Sequence, residues 1–157
     1  MYVRVLGRFH SEHPPKPNMI FYRCTTLGHF GELLLEMNEL KTAGDRLEEA
    51  IAIAQASRLK EVEGYFLGAL GEVRAREGNV ELGRSLFARA DTLFGSNGRQ
   101  INRGEMFCRR GQIERLAGNH TEAKRALSQA KAVADEMNLG PSSALHHQIN
   151  VLETSLN

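Results

Sequence analysis

Three glycines stand forty residues apart in this chain, Gly31, Gly71 and Gly111, and three alanines keep the same interval, Ala50, Ala90 and Ala130. Two interleaved series of small residues on one period mark an internal repeat. Units of this length stack as a solenoid, each packing on its neighbours rather than around one central core. Sliding the chain along itself by that interval lays residues 34–40 over 74–80 and then over 114–120. Gly78-Asn79 and Gly118-Asn119 break two of the units in the middle. Asparagine suits the start of the following helix, because its side chain accepts from orphan amides of the first turn. Glu122, three residues beyond Asn119, comes close to a capping box. In the first unit Asn38 is expected to be the cap.

After each break an apolar stripe recurs at spacings of three and four, the signature of one helix face. It reads Ala43, Leu47, Ala50, Ile51 and Ala54 in the first unit, and Gly83, Phe87, Ala90 and Phe94 in the second. In the third it reads Ala123, Leu127, Ala130 and Ala134. The pattern predicts helices over 19–37, 41–57, 60–77, 80–95, 101–117, 120–138 and 142–156, within one domain spanning 19–157. Gly95 to Gly98 reads as a loop, and Gly140-Pro141 as the end of the sixth helix and the start of the seventh, with proline at its first position. Residues 1–18 differ. Tyr2, Val3, Val5 and Leu6 suit a strand, and His10, His13, Pro14, Pro15 and Pro17 an extended path, so this stretch reads as a leader, a tail or the remnant of another domain.

A chain of 157 residues with 41% apolar and 25% charged content can bury an ordinary core. Its formal net charge of +1 gives no electrostatic reason to expect nucleic acid or an anionic membrane. Two cysteines, Cys24 and Cys108, are too few for a disulfide framework or a zinc site, and read as reduced, buried thiols of a cytoplasmic protein. No apolar run approaches a membrane span. No phosphate loop, nucleophile elbow or paired-histidine zinc helix occurs. Gly28, Gly31, Gly64, Gly68 and Gly71 lie inside helical pattern, where they serve helix contact. His10 and His13 lack further ligands nearby, and His146 and His147 point about 100° apart on a helix, so no metal and no cofactor is expected. The chain reads as a non-enzyme.

The quartets Gly31, Ala43, Leu47, Ala50; Gly71, Gly83, Phe87, Ala90; and Gly111, Ala123, Leu127, Ala130 resemble the tetratricopeptide repeat (TPR). That family places one small residue in the first helix of a unit, two in the second and a large apolar residue between those two. Small residues let backbones approach, and the large one plugs the gap. The resemblance runs over about residues 20–138. The unit exceeds the ~34-residue norm by about six, an excess expected in the second helix and the loop after it, and is similar to long versions in bacterial signalling regulators. The resemblance implies an all-α, right-handed solenoid of antiparallel helix pairs, about three repeats long. Leu145, Ile149, Leu152 and Leu156 then stripe a last helix whose phase differs, with Val151 where a glycine would stand. That helix either caps the open end or offers a homodimer face.

The family's first helices line a concave groove. Carried over by position, the groove residues are Thr25, His29, Glu32 and Glu36; Tyr65, Ala69, Glu72 and Arg76; and Glu105, Arg109, Gln112 and Arg115. The implied function is a non-catalytic protein–protein interaction scaffold that binds a peptide or partner segment there. The alternative is the sensor or dimerisation segment of a larger bacterial transcriptional or signalling regulator. Charge is uneven: residues 32–49 hold six acids against Lys41 and Arg46, and residues 99–115 hold five arginines against Glu105 and Glu114. One end of the solenoid is therefore expected to be acidic and the other basic. Two readings stay open at this point. The charges are solvated faces with i,i+4 pairs, or Arg109 and Arg115, with Arg76, hold carboxylates of an acidic peptide through the guanidinium fork.

Overall fold

The computed structural model describes residues 16–95 and 98–157, most of them in helices. Seven of them follow one another there with no strand between: α1 (Pro17–Glu36), α2 (Leu40–Ala56), α3 (Lys60–Arg76), α4 (Val80–Phe94), α5 (Gln100–Leu116), α6 (His120–Glu136) and α7 (Ala144–Leu156). Helix hairpins α1–α2, α3–α4 and α5–α6 repeat along the chain, as a helical-repeat solenoid requires. The strand expected over Tyr2–Leu6, and His10 and His13, lie outside the described residues. Ser96 and Asn97 of the expected loop also lie outside them.

The turns inside the three pairs share one device. Asn38, Gly78 and Gly118 take φ values of 61°, 93° and 76°, the left-handed conformation that ends a helix. The amides of Glu39, Asn79 and Asn119 then donate back to the carbonyls of Leu34, Arg74 and Glu114. Asn79 and Asn119 cap as expected, their side chains accepting from Leu82 N at 3.2 Å and Glu122 N at 3.3 Å. Asn38 does not cap. It occupies the slot of Gly78, which asparagine tolerates better than most residues, and Glu39 enters α2 without a side-chain cap bond. The capping box at Asn119 is half formed, because the Glu122 carboxylate turns to Arg110 instead.

Two ends differ from expectation. Pro17 does not keep the chain extended; it opens α1, where its missing N–H costs nothing. Pro141 does not open α7. Ser143 does, accepting from His146 N at 3.2 Å, so the helix begins at Ala144. The extra length of the unit is also not concentrated in the second helices, since α2, α4 and α6 have 17, 15 and 17 residues against 20, 17 and 17 in α1, α3 and α5.

Small residues make the close approaches. Ala43, Ala50, Ala90, Ala123 and Ala130 are 0% exposed, which leaves no room for longer side chains. A Cβ on Gly71 would stand 2.8 Å from the Gly83 carbonyl oxygen, and one on Gly83 would stand 2.6 Å from that of Gly71. Gly31 makes room for Leu47, whose Cγ would lie 2.7 Å from its Cβ. Gly111 departs from the pattern, because the side chain it accommodates is Leu152 of α7. A second small-residue series joins successive first helices: Phe66 packs onto Gly28 and, forty residues on, Met106 onto Gly68. Helix α7 packs on both α5 and α6. Its Leu145, Ile149 and Leu152 are buried there and Leu156 is partly so, which closes the end of the repeat and leaves that stripe no free face for a second copy.

Candidate functional site

First helices α1, α3, α5 and α7 stand side by side and line a cavity of about 790 Å³. Because equivalent positions recur every forty residues, each turn of α1 has counterparts on α3 and α5. The cavity wall includes Thr25, His29, Glu32 and Glu36 of α1, Tyr65, Glu72 and Arg76 of α3, and Glu105, Arg109 and Gln112 of α5. Ala69 and Arg115 are not part of it. The Arg115 Nε donates to Gln112 Oε1 at 3.1 Å.

The floor is a buried charge network. Arg109 is 5% exposed and Glu72 equally so, depths at which an unpaired charge is not tolerated. Arg109 Nη2 donates to Glu32, and its Nη1 lies 3.5 Å from Glu72 Oε2. Arg76 reaches the other Glu72 oxygen at 2.6 Å and the Leu35 carbonyl at 3.3 Å. The Arg109 guanidinium also lies over the Tyr65 ring, 5.4 Å from its centroid. Tyr65 in turn donates its hydroxyl to Glu105 Oε2 at 2.5 Å. His29 Nδ1 meets the second Glu32 oxygen at 2.7 Å. Arg109 Nε is buried and has no hydrogen-bond partner among the described residues.

Protonation follows from these contacts. Burial works to raise the Glu32 pKa, but the Arg109 charge and the His29 hydrogen bond outweigh it and hold the carboxyl below its usual range. The hydrogen bond to Glu32 raises His29 against partial burial. Burial raises Tyr65, so its hydroxyl remains a donor. Desolvation opposes the Arg109 charge, yet Glu32 and Glu72 together raise its pKa. Burial also pushes the thiols of Cys24 and Cys108 up, to about 11 and about 12. Both cysteines are free, and Cys24 Sγ donates to the Ala50 carbonyl at 3.2 Å. At neutral pH they are thiols rather than thiolates, and so weak nucleophiles.

The two charge blocks meet at one point, because Glu32 of the first and Arg109 of the second are bonded, 77 residues apart in the chain. Arg109 is thereby engaged within the chain, and Arg115 stands outside the cavity, which removes both main holders of an acidic guest. Several wall residues were not anticipated. Phe21, Glu61 and Ile101 lie one turn before Thr25, Tyr65 and Glu105 at the same forty-residue interval, so extending the carried-over rows by a turn finds them. His147, Gln148 and Val151 of α7 had no such signal. The α7 counterparts of Arg109 and Gln112, Ile149 and Leu152, do not line the cavity, while Val151, the counterpart of Gly111, does, so the helix is rotated relative to the others.

Among the described residues no helix is long and apolar enough to cross a membrane, and no three His, Cys, Asp or Glu side chains cluster as metal ligands. No family model, no curated protein and no solved structure matches the chain.

Proposed function

We propose that this chain is a TPR-like, non-catalytic scaffold that takes a segment of a partner protein into the cavity along its first helices. One observation supports this most. Of the seven large apolar side chains exposed among the described residues, three share the cavity wall, Phe21 at 42%, Leu33 at 49% and Val151 at 45%, while Met19, Tyr22, Met37 and Leu82 lie outside it. Exposed apolar surface gathered in one concavity marks a binding site more than scattered apolar residues do. The paired charges beneath hold the wall in one shape, and a preformed groove orders less on binding.

A photo-crosslinking residue at Leu33, compared with one at Ala52 on the exposed face of α2, tests the reading in a lysate of the source cell. A discrete protein adduct from Leu33 alone is expected. Adducts from Ala52 alone, or equal labelling at both positions, would refute it.

A further inference from the structure

The cavity wall carries five carboxylates, Glu32, Glu36, Glu61, Glu72 and Glu105, against three guanidinium groups, Arg76, Arg99 and Arg109. The whole chain is slightly cationic, so this local excess is not a reflection of composition. Two of the guanidinium groups are consumed internally, because Arg109 and Arg76 neutralise Glu32 and Glu72. What faces a guest is therefore Glu36, Glu61 and Glu105 against Arg99 and the exposed imidazoles of His29 and His147. Among the described residues Glu105 accepts only the Tyr65 hydroxyl and Glu61 only the backbone N–H of Arg99, at 3.2 Å, and neither is in an ion pair. Glu36 is exposed and likewise has no ion pair among the described residues.

These carboxylates are spread along the groove. Glu61 lies near the first turn of α3, Glu105 in the second turn of α5 and Glu36 at the last residue of α1. Apolar Phe21, Leu33 and Val151 share the same wall. We infer that the groove selects a cationic amphipathic segment of a partner protein, with lysine or arginine side chains on the three spare carboxylates and apolar side chains between them. The inference rests on the scaffold reading above and adds the sign of the charge. An acidic peptide meets the like charge of Glu36 at one end and of Glu61 and Glu105, offset only in part by Arg99, at the other, which costs more than it gains. An anionic membrane and a nucleic acid are opposed for the same reason.

Selection from a random displayed peptide library against the 157-residue chain tests this. Enrichment of sequences that interleave Lys or Arg with apolar residues is the expected result. One enriched peptide, synthesised with a fluorophore, should bind roughly tenfold more weakly to the Glu36→Lys, Glu61→Lys double variant, and more weakly to the parent as salt rises. The control variant Asp45→Lys, Glu81→Lys makes the same charge change at exposed positions off the wall and should change affinity by less than about twofold, with helicity checked by circular dichroism in both variants. Enrichment of acidic peptides, or equal weakening in both variants, would overturn the charge assignment while leaving the scaffold standing. Failure to enrich any sequence would overturn both.

Discussion

Replacing Arg109 by methionine keeps much of the side chain's length and removes the charge on which three helices converge. The loss falls on two carboxylates. Glu72 retains Arg76 at 2.6 Å, and Glu32 retains His29 at 2.7 Å. Breaking a buried ion pair costs about 3–5 kcal/mol when the partner is left without compensation, so the remaining contacts place this variant near the lower end, at about 3 kcal/mol. For a chain of this size that is a fall in Tm of roughly 6–12 °C. Thermal unfolding followed by circular dichroism at neutral pH measures it. The pH dependence adds a signed check. A carboxyl held below its unfolded pKa contributes stability above that pKa and loses it as pH falls through the folded value. Glu32 is such a group in the parent, mainly through Arg109 acting against burial. In the variant burial acts with less opposition, so Glu32 protonates earlier and is relieved by acid. The gap between parent and variant must therefore narrow as pH drops below the ordinary carboxylate range. A variant within about 1 °C of the parent at neutral pH, or a gap that widens in acid, would refute the network as described. Adding Glu32→Gln should cost less than the sum of the two single changes, because the two groups share one interaction.

Other expectations are simpler to check by denaturant unfolding. Gly83→Ala brings a Cβ to 2.6 Å from the Gly71 carbonyl oxygen and should cost about 1–3 kcal/mol. Gly78→Ala meets no atom within 4 Å, so its penalty, about 1–2 kcal/mol, comes from its φ of 93° alone, and Gly78→Asn should recover part of it because asparagine already stands at Asn38. Leu127→Ala should leave a cavity between α6 and its neighbours and cost roughly 2–5 kcal/mol. Cys24 and Cys108 should resist a thiol reagent in the native chain at pH 8 and react at once in denaturant; fast native labelling would contradict the burial that pushes them to about 11 and about 12.

The helical architecture was legible because a solenoid writes its contacts locally. Gly71 meets Gly83, and Ala50, Ala90 and Ala130 disappear from solvent, through approaches within a unit or between neighbours, and each unit must repeat the same small residues to repeat the same approach. The groove row was legible for the same reason wherever the forty-residue period held. It failed at α7, where the rotation that buries Ile149 and Leu152 brings Val151 and His147 to the wall. Small differences in register carried their own consequences: Asn38 ends a helix where Asn79 starts one.

Sequence by itself determined the period, the helices and the residues small enough to sit between them, since these follow from spacing and side-chain size. Tertiary structure alone decided which charges are already paired on the cavity wall. Glu32 and Arg109 are 77 residues apart, and their bond depends on how α1, α3 and α5 pack side by side and on side-chain conformations that no periodicity records. Ion pairing is a matter of a few ångströms in space. A charge block visible in the sequence therefore says how many groups are present, and only the packed helices say which of them have already neutralised one another.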